Sequence, residues 1–239
     1  MTTILTNGEY LIGDHRLTVG MGADRRGIDI NTGNSSRLGY LTDHRVKIHL
    51  LDDKVKLFNP KNTSDYAVAF GLAGSSVEIN KVIELTRVMK SSSIELRVLG
   101  DKITAIRNPS VTFGMLVLFK SGACGTITFT PMGNGSKSTT KLFPKGKIVS
   151  IGSGSTIHKA LGDLLPKDIT AEELIILSAG SDKHTSPSYS VYGRNENILY
   201  SIVRQRPDEV KRRFKEIMTT RLEYQRHKVK IHTNTFKDE

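Results

Sequence analysis

Apolar and polar positions alternate with a period of two at the start of the chain and in several later stretches, which predicts a β-rich fold with helices between the strands. Residues 2–6 and 9–13 make a hairpin pattern around Asn7-Gly8, a turn pair matched to the twist of antiparallel strands. Residues 19–39 are Gly-rich and polar and read as a long loop or a β-insertion. Val46, Ile48, Leu50, Val55 and Leu57 mark strands broken at Asp52-Asp53, and residues 66–74 form an apolar run ending in small residues, as a buried strand does. A helix should follow, capped by Ser75 or Ser76, with Glu78 in its first turn and Ile79, Val82, Ile83, Leu85, Val88 and Met89 on one broad face. Residues 92–110 contain Gly100 and Pro109 and read as strands, as do 112–119, 125–130 and 147–151, with 133–140 a polar loop. Residues 156–165 and 170–180 read as helices, the second opened by Thr170 and Glu173 as a capping box. Residues 188–192 and 197–203 are further strands, and after Pro207 the residues Val210, Phe214, Ile217, Met218 and Leu222 recur at helical spacing. The class is α+β; periodicity does not choose among the folds within it.

Composition narrows the setting. The 239 residues are 37% hydrophobic, enough for a core and too apolar for a disordered chain. No apolar run approaches the roughly 18 residues of a membrane span, and the start lacks the charged-then-apolar order of a secretory leader, so a cytoplasmic protein without membrane contact is expected. The single cysteine, Cys124, excludes an internal disulfide and suggests a reducing compartment. It sits at a hairpin turn entering a strand and reads as a packed thiol. The seven histidines show no metal-ligand spacing, and neither a metal nor a cofactor is called for. The net charge is +11, and residues 204–230 hold ten Lys/Arg against four Asp/Glu. The helix there should dock by its apolar face. Its basic face is either simply solvated or meets an acidic partner or nucleic acid. With no Trp and scattered Phe and Tyr, base stacking has little support, so nucleic acid is the weaker partner.

Thr2 directly follows Met1. An initiator Met before a small residue is usually removed, which would place a hydroxyl and a free α-amine on one residue. An α-amine has a pKa of about 8 and can take the proton of its own hydroxyl, the N-terminal threonine form of nucleophile activation. Alone, an ordinary strand start explains Met-Thr-Thr better. The downstream residues change the balance: Gly13-Asp14-His15-Arg16-Leu17-Thr18, then Lys54 opening a strand, Ala73-Gly74 before a helix, Gly152-Ser153-Gly154-Ser155, and Asp182-Lys183-His184-Thr185-Ser186, in that order.

This ordered set resembles the family of proteasome β-subunits and the bacterial HslV peptidase, over residues 2 to about 200. Each motif is unspecific by itself. The resemblance implies a four-layer αββα sandwich of the Ntn-hydrolase type in residues 1–206, an insertion at about 19–45, and a basic helical extension in 207–239. It implies an N-terminal threonine peptidase with Thr2 as nucleophile and Lys54 (in preference to Lys56) lowering the pKa of its hydroxyl. Asp14 would hold that lysine, and the Gly74 N–H would steady the oxyanion. Ser153, Asp182 and Thr185 would surround the N-terminal amine, and Thr18 and Ala73 would touch substrate. A polypeptide substrate, a self-compartmentalised homo-oligomer and an ATPase unfoldase are the partners it suggests.

The departures are specific. Asp14 and Lys54 stand farther apart than the family pattern, Ser186 and Pro187 replace the Gly that follows the late Ser, and 92–110 lacks the pattern of a long second helix. His184 reads as an exposed loop residue. Two other classes therefore stay open: a noncatalytic Ntn-fold subunit that keeps Met1, and a basic nucleic-acid-binding module.

Overall fold

The structure, a computed structural model, describes residues 3–19, 27–28, 35–36, 40–42, 46–51, 56–89, 93–132, 135–182, 184–203 and 206–222. The chain opens with β1 (Thr3–Thr6) and β2 (Tyr10–Asp14), turning at Asn7-Gly8, where Gly8 has φ 89°. The pieces described between residues 17 and 42 are short strands paired among themselves: β3 (Leu17–Val19) with β6 (Tyr40–Thr42), and β4 (Gly27–Ile28) with β5 (Ser35–Ser36). Next come β7 (Ile48–Leu50), β8 (Lys56–Asn59), β9 (Asn62–Ala73), α1 (Ser76–Val88), β10 (Ser93–Glu95) and α2 (Leu96–Ile106). They are followed by β11 (Phe113–Phe119), β12 (Cys124–Met132), β13 (Gly135–Phe143), β14 (Val149–Gly152), α3 (Ser155–Leu161) and α4 (Ala171–Ser181). The described chain ends with β15 (Tyr189–Gly193), β16 (Ile198–Ile202), α5 (Pro207–Glu216) and a π-helical turn at Ile217–Leu222.

Two larger sheets organise the fold. One is antiparallel in the order β14-β1-β2-β15-β16. The other is built on the long strand β9. One edge of β9 pairs with β11, which leads to β12 and β13; the other edge is shared by β7 and β8, and β10 runs parallel to β8. Three apolar clusters hold these layers. Ile4, Leu11, Ile48, Ala69, Leu116, Cys124, Ile151 and Tyr192 pack between the sheets. Leu72, Ile79, Val82, Leu99, Ile103, Met115 and Phe129 bury α1 and α2 on the outer face of the β9 sheet. Leu5, Ile12, Leu174, Ile175, Tyr189 and Ile217 bury α4 and the C-terminal helix on the outer face of the other sheet. Fully burying one such side chain contributes about 1.5–3 kcal/mol.

Local signals explain the helix starts. The Ser75 hydroxyl accepts the Glu78 N–H at 3.3 Å to open α1. Thr170 and Glu173 form a complete capping box on α4. Two expectations fail. Residues 96–106 are the helix α2, not strands. Gly100 faces the sheet, where an added Cβ would lie 3.3 Å from Ile127 Cγ2, so this glycine is a packing choice. The expected polar loop at 133–140 is largely β13, an edge strand paired with β12 along its length.

The C-terminal helix docks by its apolar face as expected, with Val210, Ile217 and Leu222 buried. Part of its charge is used within the chain. Arg213 pairs with Glu172 at 2.6 Å, and Arg221 with Glu173 at 2.7 Å and Asp168 at 2.8 Å. These acidic groups belong to the start of α4 and the residues just before it, so the acidic surface met by these two arginines is the chain's own. Among the described residues no helix is long and apolar enough to cross a membrane.

Candidate active site

Asp14 ends β2 and is fully buried. Its Oδ1 accepts the Thr3 N–H at 2.6 Å and the Lys47 ammonium at 2.9 Å. Its Oδ2 accepts the N–H groups of Arg16 at 2.9 Å and Ser186 at 3.3 Å. Lys47 is 1% exposed and also donates to the Arg16 carbonyl. A buried carboxylate with this many donors is the arrangement that burial of charge requires.

Lys47 precedes β7, and its carbonyl accepts the Leu72 N–H at 3.2 Å. That pairing sets it beside the C-terminal end of β9, where Ala73 is buried and Gly74 follows with φ 153°. Lys54, which the family pattern pairs with Asp14, lies outside the described residues; among the described residues the ammonium on Asp14 is that of Lys47. Lys56 is exposed on β8. Lys47-Ile48-His49-Leu50 has the same order of types as Lys54-Val55-Lys56-Leu57, so the sequence held a signal for it. Thr18 pairs with Leu41 in the β3–β6 ribbon. Thr2 and Lys183 lie outside the described residues.

A second group of side chains forms at the end of α4. Asp182 Oδ2 accepts the hydroxyls of Ser153 at 2.6 Å and Thr185 at 3.0 Å, and Oδ1 accepts the His184 N–H at 3.0 Å. Partial burial pushes the Asp182 carboxyl up. The bonds from Ser153, His184 and Thr185, together with the nearby His184 imidazole, outweigh that and hold it below the usual carboxylate range. His184 is thus half-buried and in contact with the cluster, not the exposed loop residue expected. Ser186, where the family pattern has Gly, is buried without positive φ, so the substitution brings no backbone strain.

Thr3 joins the two groups. Its N–H is on Asp14, and its hydroxyl lies 2.6 Å from Thr185 Oγ1. Since the Thr185 hydroxyl donates to Asp182, the Thr3 hydroxyl is the donor of that pair. Strand β1 is fixed at both edges: Thr3 registers opposite Gly152 on β14, and Ile4 opposite Gly13 on β2. Its face is fixed too, because Ile4 fills the space where a side chain at Gly71 of β9 would stand. Gly154 is closed in as tightly. A Cβ there would lie 2.5 Å from Thr185 Oγ1, and it would also collide with Thr3 Oγ1.

Cys124 is buried in the inter-sheet core, and burial pushes its thiol up to about 12, so it stays an unreactive thiol in the native state. Among the described residues no group of three His, Cys, Asp or Glu side chains is placed to hold a metal ion.

The fold is shared with a solved protein described as an ancestral β-subunit. Solved structures that share it include Anbu proteins. The Anbu complex from Pseudomonas aeruginosa, described as a helical assembly, matches with a TM-score of 0.52 at 13% identity over 94% of this chain and 96% of that one. Anbu from Hyphomicrobium sp. strain MC1 matches at 0.52 and 14% identity over 100% and 98%. Anbu from Yersinia bercovieri, the ancestral β-subunit, matches at 0.53 and 12% identity over 92% and 95%. No protein-family model and no curated protein matches the sequence. These structures correct the resemblance drawn from motifs: the likeness is to Anbu and not to HslV.

Proposed function

We propose that this chain is an Anbu-like threonine hydrolase of the Ntn type that cleaves peptide bonds. In this reading residues 1–206 form a four-layer αββα sandwich, and 207–239 form a basic helical extension whose described part, 207–222, docks on α4. The observation that carries it is the position of Thr3, tied by its N–H to the Asp14–Lys47 pair and by its hydroxyl to the Thr185–Asp182–Ser153 cluster. Consecutive Cα atoms lie about 3.8 Å apart, so the residue before Thr3 is within one residue's reach of both groups.

With Met1 removed, the α-amine of Thr2 takes the proton of its own hydroxyl, and Oγ1 bonds to the substrate carbonyl carbon. The Lys47 ammonium favours the developing alkoxide, the role the family pattern gives to Lys54. The Gly74 N–H takes the oxyanion. Collapse breaks the C–N bond, and the departing amine leaves with the proton held by the α-amine. Water then attacks the ester, gives its proton to the α-amine, and the acid departs as Oγ1 is reprotonated. Ser153, Asp182 and Thr185 orient the amine, and Thr18 and Ala73 line the approach of the peptide. Assembly into a homo-oligomer is supported by the helical assembly of the Pseudomonas protein.

Intact mass should show loss of Met1, fluorogenic peptides should be hydrolysed, and Thr2→Ala should lower turnover by several orders of magnitude. Met1 retained in every molecule, or unchanged turnover in Thr2→Ala, would overturn the catalytic assignment and favour a noncatalytic subunit. Light scattering showing a strict monomer would remove the oligomer alone.

A further inference from the structure

Behind the candidate active site lies a pair of buried polar groups that the proposed reaction does not use. Ser178 on α4 is fully buried and donates to the Gly154 carbonyl at 3.3 Å, and His158 on α3, 4% exposed, places Nε2 2.6 Å from the same hydroxyl. Burying an imidazole and a hydroxyl is costly unless they serve one another. Here the pair is aimed at one backbone carbonyl, that of the glycine pressed against Thr3 Oγ1 and Thr185 Oγ1.

The spacing on α4 matters. Ser178 and Asp182 are four residues apart, the Asp182 N–H donates to the Ser178 carbonyl at 2.9 Å, and residues at this spacing share a helix face. One turn of helix therefore holds two consecutive residues of the 152–154 loop: Asp182 holds Ser153 by its hydroxyl, and Ser178 holds Gly154 by its carbonyl. His158, on the helix that leaves this loop, fixes the Ser178 rotamer from the other side. Its Nε2–H donates while Ser178 donates onward to Gly154, and burial holds the ring down to about 4, so it is neutral near neutral pH.

We propose that His158 and Ser178 are positioning residues that clamp the Gly154 carbonyl and thereby hold Ser153 against Asp182 and Gly154 against the Thr3 and Thr185 hydroxyls. Neither touches substrate; both act through the loop. This rests on the catalytic reading for its effect on turnover, but not for its effect on Asp182.

Two measurements separate the two. The first follows the Asp182 carboxyl by NMR titration of the full chain. Ser178→Ala and His158→Ala should release the loop, weaken the Ser153 bond and raise the Asp182 pKa toward the ordinary carboxylate value. His158→Gln, whose amide N–H can replace Nε2–H, should leave it low. The second follows peptide hydrolysis. Ser178→Ala and His158→Ala should lower kcat about tenfold with KM unchanged, because the loop bears on the reacting amine and not on peptide binding, and His158→Gln should restore kcat.

An Asp182 titration identical to the parent in folded Ser178→Ala and His158→Ala would overturn the inference, as would His158→Gln behaving like His158→Ala. If the titration moves as expected while the parent hydrolyses no peptide, the clamp stands and the peptidase reading falls.

Discussion

Replacing Lys47 with Met should be among the most damaging single changes in this chain that leave its apolar core intact. Methionine keeps most of the volume and deletes the ammonium 2.9 Å from Asp14 Oδ1, leaving a fully buried carboxylate short of its charge partner. Removing one member of a buried pair costs roughly 3–5 kcal/mol. Asp14 still receives the N–H groups of Thr3, Arg16 and Ser186, so the lower end, about 3 kcal/mol, is expected. In a chain of this size each kcal/mol shifts the thermal midpoint by about 2–4 °C, so Lys47→Met should melt roughly 6–12 °C below the parent. Urea unfolding and calorimetry at pH 7 measure this. The double variant Lys47→Met/Asp14→Asn removes both charges and should recover a substantial part of the loss, since the penalty lies in the unpaired ion. A Lys47→Met chain within about 0.5 kcal/mol of the parent, the range of an ordinary surface change, would refute the buried pair. So would a double variant no more stable than the single one.

Gly154→Ala should fold less stably and lose peptide hydrolysis, because its methyl would stand 2.5 Å from Thr185 Oγ1; hydrolysis equal to the parent would contradict the packing. His158 takes a proton at about 4 when folded and near 6.5 when unfolded, so below pH 6.5 the unfolded chain binds more protons and stability falls with pH. That should cost about 3 kcal/mol by pH 4, and His158→Gln should lack this share; parallel urea midpoints for parent and variant between pH 7 and 4.5 would refute it. Cys124 should react with a thiol reagent at pH 8 only as fast as the chain opens, since the thiol is buried with its pKa near 12; complete labelling within minutes under native conditions would show the strand pairing there to be wrong.

What the sequence makes legible follows from where the information sits. The β1–β2 hairpin is written in Asn7-Gly8 and the start of α4 in Thr170 and Glu173, because those residues satisfy backbone groups within a few positions. The α2 helix was hidden by Gly100, read as a breaker although it is a point of contact with Ile127. The β13 strand was hidden because an edge strand with an exposed face needs few apolar residues. Ser153, Asp182 and Thr185 could be named because they sit in short ordered motifs. Lys47 carried the same short pattern but could not be chosen by it, because a lysine becomes a buried cation only through a partner 33 residues away. No local pattern separates it from the lysines at 54 and 56. Gly154, His158 and Ser178 were missed for a related reason: their roles depend on α3, α4 and β1 converging on one loop.

The fit of Ile4 against Gly71, with Thr3 opposite Gly152 and Ile4 opposite Gly13, makes the first strand a measure of chain length. A slip of one residue would set Thr3 or Leu5 against Gly71 in place of Ile4 and send Ile4 to the α4 side, so the strand has one phase relative to both sheets. The place of any residue ahead of Thr3 is then counted in residues from the Thr3 N–H that Asp14 holds. An insertion between Thr2 and Thr3 would not be absorbed by the strand. It would put one more residue between residue 2 and the Thr3 N–H that Asp14 holds, while leaving the fold untouched. Chains extended or shortened at that point should therefore look alike by calorimetry and differ only in what their first residue can reach.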